Sequence, residues 1–294
     1  MNERVRSVQF QLTTTCNERC IFCRKYTWPT KEADIKMIEE KIEKYPNATL
    51  EFSGGEPTMY SHLAELNDLL VGKAYKVFTN GAIDEQDEEV SRFLDNAEEV
   101  VISFDALSRN TYNSIRHPID TFAFYTVCRT VARYAETGKI SMVVTSENIG
   151  MVPFIAKYAD EQGIKSRFYP VHTNTDGLLV SKEQLGVCYE RLLDIKLDYP
   201  EKTNVFDIFQ EGYFTEKKPF IPCFARNYSR VIDEDGREYF CCYAINDNGV
   251  DIDGKNCIDA EQEEFDANVE YEYCDHCSRY RAFNEGRVTE PRFM

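Results

Sequence analysis

Apolar and polar positions along the first 175 residues switch repeatedly between two periods. Short runs rich in β-branched and aromatic residues read as strands at 5–15, 49–53, 76–80, 99–105, 140–146 and 166–172. Between them, apolar residues recur every three to four positions, as expected for helices with one buried face. The helix over 33–45 places Ile35, Ile38 and Ile42 on that face, and 61–71 places Leu63, Leu66, Leu69 and Leu70 there. The same spacing predicts helices over 85–97, over 121–137 with Gly138 as its stop, over 149–162 with Gly163 as its stop, and over 181–196. Repeated strand–helix units imply a mainly parallel sheet. Six units are too few for a closed eight-fold barrel, so the expected α/β fold is a curved, partly open (β/α)6 arrangement. Binding residues in such sheets gather at the C-terminal ends of the strands.

The pattern changes beyond about 203. Residues 204–214 fit a short helix, and 229–243 fit a hairpin around Asp235-Gly236. The remainder is irregular, acidic and cysteine-bearing. Two units are therefore expected: a barrel over 1–200 and a small cysteine-rich domain over 201–294.

Composition narrows the partners. With 43% hydrophobic residues, the 294-residue chain can bury an ordinary core. No apolar run is long enough for a membrane span, and the N-terminus lacks the pattern of an export signal, so a cytoplasmic protein is expected. The formal net charge of −17 disfavours phosphate backbones and anionic lipids, and no Lys/Arg-rich run offsets it. A small molecule or a peptide fits better. Without export, the 11 cysteines point to metal binding or catalysis more than to disulfides.

Cys16, Cys20 and Cys23 follow the first strand as C-x3-C-x2-C. Thiolates are the usual ligands of iron–sulfur clusters, and three of them leave one iron of a [4Fe–4S] cluster open to a chelating ligand. A structural zinc site would close four ligands instead. The triad, with Phe22 in the aromatic position before its last cysteine, resembles the signature of the radical S-adenosylmethionine (SAM) superfamily. That resemblance implies a partial barrel, a cluster whose open iron binds SAM, and reductive cleavage to a 5′-deoxyadenosyl radical that abstracts hydrogen from substrate. It also implies a flavodoxin- or ferredoxin-type reductant.

Further segments resemble the family in chain order. Gly54-Gly55-Glu56-Pro57 is similar to its GGEP motif, whose glycines would let backbone approach the ligand and whose Glu56 would hold the methionine ammonium. Thr79-Asn80-Gly81 looks like its TNG turn. Ser103 and Asp105 resemble the ribose-facing end of strand four, and Tyr112-x3-Arg116 resembles a segment whose Arg reaches the SAM carboxylate. By the same resemblance Asn148 would bond the ribose, and the backbone around Tyr169, in 168–171, would flank adenine.

A second set, Cys223, Cys241, Cys274 and Cys277, resembles the SPASM-type extension of the family. No cysteine follows Cys277, so the shorter "twitch" form, with one auxiliary [4Fe–4S] cluster, fits better than full SPASM. The layout is similar to that of the radical SAM dehydrogenase acting on 2-deoxy-scyllo-inosamine, in architecture only. A four-cysteine zinc site is the alternative. Cys242 can replace Cys241 as ligand or, like Cys257, serve as a free thiol that donates hydrogen to a substrate radical. His172, at the end of strand six, is a candidate substrate or base residue. Cys128 and Cys188 read as core residues, and His62 and His117 as surface or capping ones. The resulting expectation is an oxidation of a small molecule or peptide with electron transfer to the auxiliary cluster. Peptide maturation by cross-linking or epimerisation, and a redox or zinc-binding module without SAM chemistry, are the alternatives.

Overall fold

The computed structural model describes residues 5–23, 29–171, 177–206 and 229–239. Six strands, β1 (Ser7–Gln11), β2 (Thr49–Ser53), β3 (Tyr75–Thr79), β4 (Glu99–Ser103), β5 (Gly138–Val144) and β6 (Lys165–Pro170), pair in parallel with their sequence neighbours. Helices α1 (Ile35–Lys44), α2 (Leu63–Leu69), α3 (Glu88–Asp95), α4 (Arg109–Arg116), α5 (Ala123–Arg133), α6 (Val152–Glu161) and α7 (Lys182–Leu193) fill the connections and follow β6. The α/β architecture with an open parallel sheet is the one the alternating periods predict.

Strand alternation divides the sheet faces. Val8, Phe10 and Leu12 of the β1 segment, Leu50 and Phe52 of β2, and Tyr75 and Val77 of β3 join one continuous core with the apolar faces of the helices. Phe52 is its hub among aromatics, with Phe10 stacked at 5.5 Å and Phe93 of α3 at 5.8 Å between ring centroids. Burying a side chain of that size contributes about 1.5–3 kcal/mol. The opposite face of β1 carries Ser7, Gln9 and Gln11, also buried. Helix starts are fixed locally: Asp34 accepts from the backbone N–H groups of Lys36 and Met37, and Asp87 from those of Glu89 and Val90.

Four features depart from the sequence expectation. The first strand is shorter than 5–15, because residues 13–15 leave the sheet to begin the cysteine loop. Helix α5 ends at Arg133, and Gly138 is not its stop but the first residue of β5. A Cβ there would lie 2.5 Å from the Tyr134 carbonyl oxygen and 3.1 Å from that of Val100. Helix α4 was not expected as a helix at all. Finally, the C-terminal hairpin, β7 (Ser229–Ile232) and β8 (Glu238–Tyr239), extends the same sheet: β7 runs parallel to β1, giving the order β6-β5-β4-β3-β2-β1-β7-β8.

The hairpin turns at Asp235-Gly236 as expected, with Gly236 at φ 81° and Asp233 accepting from the N–H groups of Asp235 and Arg237. Glu238 then docks on α1, accepting from Lys41 at 2.6 Å, Lys44 at 2.7 Å and Tyr45 at 2.5 Å. Most of 201–294, including nearly all of the helix expected over 204–214, lies outside the described residues. Among those described, no helix is long and apolar enough to cross a membrane.

Candidate functional site

Loops from four adjacent parallel strands meet at the C-terminal edge of the sheet. After β1, the chain passes through Thr13–Thr15 into the cysteine loop. Cys16 and Cys23 are half-buried, Cys20 is buried, and all three are free thiols. Burial, reinforced by the nearby Glu56, pushes the Cys16 thiol up to about 11. Burial also raises Cys20, against the pull of Arg116. Burial thus holds Cys16 and Cys20 in the thiol form, and a metal must displace their protons.

The two glycines after β2 exist for this loop. Gly55 donates to the Thr13 carbonyl at 2.6 Å, and the Glu56 N–H donates to that of Thr15 at 2.8 Å. Gly54 has φ 142°, and a Cβ on it would lie 2.5 Å from the Thr13 oxygen; one on Gly55 would lie 2.2 Å from the Thr15 oxygen. The close backbone approach that the glycines permit here is to the cysteine loop itself. Pro57 then opens a short 3-10 turn, Pro57–Met59.

Glu56 is fully enclosed. One carboxylate oxygen accepts from Thr58 (backbone N–H and hydroxyl) and from the Thr79 hydroxyl; the other accepts from the Asn80 N–H at 2.7 Å. Burial pushes its carboxyl up, while these hydrogen bonds pull it back. All four donors are neutral, and among the described residues no Lys or Arg pairs with it. Asn80 links this carboxylate to the cysteine loop: its side-chain amide donates to Asn17 at 2.6 Å and lies 3.8 Å from the Cys16 sulfur. Asn17 in turn donates to the Ala82 carbonyl.

A second buried group lies on the other side of the loop. Tyr112 and Arg116 of α4 both reach Glu18, between the first two cysteines. Arg116 also pairs with Asp105 and stands over the Phe22 ring, 5.5 Å from its centroid. Burial raises the carboxyls of Glu18 and Asp105, and Arg116 opposes both shifts. Asp105 also accepts from the Val143 N–H. Glu18 carried no sequence signal, since a single acid between cysteines matches no spacing rule. Asn17, Thr58 and Thr13 belong to no spacing rule either, and only their hydrogen bonds in the fold mark them.

The remaining sequence candidates are placed as follows. Ser103 ends β4 half-buried, one residue short of the turn into Asp105. Asn148 is buried, with its oxygen accepting from Thr145 and its amide donating to the carbonyls of Val143 and Asp105. Tyr169 sits half-buried in β6, and the outer backbone edge of its neighbour Phe168 is taken by the Asn204 side chain. Cys188 is buried in α7, donating to the Ile149 carbonyl, and His117 caps α4 in the left-handed conformation, φ 43°. His172, Cys223, Cys241, Cys242, Cys257, Cys274 and Cys277 lie outside the described residues.

Among the described residues no three His, Cys, Asp or Glu side chains converge on a single metal ion. A [4Fe–4S] cluster does not require that, because each thiolate binds its own iron. Three free thiols on one loop, beside a carboxylate with no cationic partner among the described residues, are a donor set that fits such a cluster and a cationic, chelating ligand.

Comparison with known proteins agrees with this geometry. A family model described as the Radical SAM superfamily matches residues 10–185. An S-adenosylmethionine-dependent nucleotide dehydratase from Flammeovirga pacifica is 28% identical over 213 residues, covering 63% of this chain and 71% of the relative. Mycofactocin maturase MftC from Mycobacterium ulcerans is 24% identical over 255 residues, 81% of this chain and 68% of the relative. Among solved structures, native anSMEcpe with bound AdoMet superposes with a TM-score of 0.64 at 18% identity, covering 95% of this chain and 88% of that one. At that identity the likeness speaks for the fold.

Proposed function

Since the chain belongs to the Radical SAM superfamily, we propose that it uses a SAM-bound [4Fe–4S] cluster to abstract hydrogen from a small molecule or peptide and oxidise it. When bound, the cluster and SAM supply a 5′-deoxyadenosyl radical by one-electron reductive cleavage, and that radical takes the hydrogen atom. Cys16, Cys20 and Cys23 hold three irons and leave the fourth for SAM. Glu56 receives the methionine ammonium, the charge its four neutral donors leave without a counterpart. Asn80 and Asn17 keep that carboxylate and the cysteine loop in register. Ser103 and the backbone around Tyr169 form the nucleoside side of the pocket, and Asn148, buried with its oxygen and both amide hydrogens already bonded, braces the backbone of Thr145, Val143 and Asp105 behind it. A flavodoxin- or ferredoxin-type donor provides the electron. Cys223, Cys241, Cys274 and Cys277, with Cys242 as the substitute ligand, would hold an auxiliary cluster that supplies a one-electron acceptor for the substrate oxidation; its support is the spacing of those cysteines.

The observation that carries this reading is the junction of the free cysteine triad with the fully buried Glu56, which has no cationic partner among the described residues. The test is incubation of the anaerobically reconstituted chain with SAM and a strong reductant. Formation of 5′-deoxyadenosine and methionine, lost when the triad is changed to Ala, supports it. An intact cluster that leaves SAM unconsumed contradicts it and favours a redox module. The likeness to a maturase favours peptide modification as the second reading, recognised by a cross-linked or epimerised peptide product instead of an oxidised small molecule.

A further inference from the structure

Arg116 is buried beneath the cysteine loop, 6% exposed, and the reaction proposed above gives it no task. One guanidinium nitrogen, Nη1, lies 3.5 Å from the Cys20 sulfur and 3.3 Å from Glu18. The other, Nη2, pairs with Asp105. Nη1 is thus engaged on the cysteine loop and Nη2 on Asp105, just after β4.

The main chain fixes this arrangement. The Arg19 N–H donates to the Arg116 carbonyl and the Ile21 N–H to that of Ile115, each at 2.9 Å. The last turn of α4 is therefore stitched along the segment that carries Cys20. Tyr112, one turn earlier, donates to Glu18, and Phe22 covers the guanidinium from the loop.

We propose that Arg116 is a positioning residue of the iron–sulfur cluster: it donates a hydrogen bond to the Cys20 thiolate and, held by Glu18 and Asp105, sets the potential at which the cluster takes its electron. The inference rests on Cys20 being a cluster ligand, as the proposed function has it. One Arg faces two carboxylates and a ligand thiolate in a site with little water to screen them. Hydrogen bonds to cluster sulfurs and local net charge are main determinants of cluster potential. The step concerned is transfer of one electron from the flavodoxin- or ferredoxin-type donor, which is oxidised, to the cluster, which is reduced. Without Arg116 the added electron meets uncompensated buried negative charge, and the midpoint falls. Without one carboxylate it rises.

The test is a potentiometric titration followed by electron paramagnetic resonance on the reconstituted full chain without SAM. The relevant signal is identified by its loss in the Cys16/Cys20/Cys23→Ala variant and its change on adding SAM. Arg116→Gln should lower the midpoint by at least the 59 mV of a tenfold change in the reduced-to-oxidised ratio, with Arg116→Lys in between. Glu18→Gln should raise it, and decides the matter alone if the Arg116 variants assemble no cluster. Unmoved midpoints in loaded variants, or shifts of the same sign in Arg116→Gln and Glu18→Gln, would overturn the proposal. A wild type with no SAM-sensitive cluster signal would overturn the radical SAM reading itself, and this proposal with it.

Discussion

Single positions do most of the chemical specification. Gly55 illustrates a residue whose importance is steric: the Thr15 oxygen occupies the place of its Cβ. Gly55→Ala should therefore displace the cysteine loop, cost about 1–3 kcal/mol in stability, and lower iron per chain after reconstitution, read by melting temperature and iron assay. Glu56 is the electrostatic counterpart. Glu56→Gln should keep the iron but weaken SAM binding roughly tenfold to a hundredfold, the range for hydrogen bonds to charged groups, measured by equilibrium dialysis. Residues of this kind were legible when they stood in a spaced motif, as Cys16, Cys20, Cys23, Glu56 and Asn80 do. Glu18 was not, because its role arises only when α4 brings Tyr112 and Arg116 across from nearly a hundred residues away.

Helices and strands were read from periodicity, and the reading succeeded where one face is apolar. Helix α4 escaped it. Its segment RNTYNSIR buries Tyr112, Ile115 and Arg116, and only one of these is aliphatic. Strand β7 escaped differently: its alternation marks a strand, but nothing local says that it will pair in parallel with β1 more than two hundred residues earlier. What secures that hairpin is Glu238. Burial alone would raise its carboxyl, and hydrogen bonds from Lys41, Lys44 and Tyr45 outweigh this and hold it below the usual range. A depressed carboxyl contributes stability that is present above the unfolded value, about 4.3 for Glu, and that fades as pH falls through the folded value. Hydrogen-exchange protection over 229–239, taken relative to the intrinsic rate at each pH, should therefore fall in acid below that range, and Glu238→Gln should remove most of the acid sensitivity while lowering protection at neutral pH.

For the whole chain, the open parallel sheet explains why chemistry gathers at one edge. Loops after β1, β2, β3 and β4 leave the same side, so the cysteine triad, the buried Glu56 and Arg116 meet although they stand far apart in the sequence. The fold class and this edge were legible because strand–helix alternation survives in the pattern. The cysteines beyond 220 carry their meaning only in their spacing. Counting iron and sulfide after anaerobic reconstitution tests the central claim, that Cys16, Cys20 and Cys23 hold a cluster of their own. The account predicts about eight irons per chain, and about four when these three are changed to Ala, as two cysteine-held [4Fe–4S] centres require. An iron content that the triple change leaves untouched would contradict it.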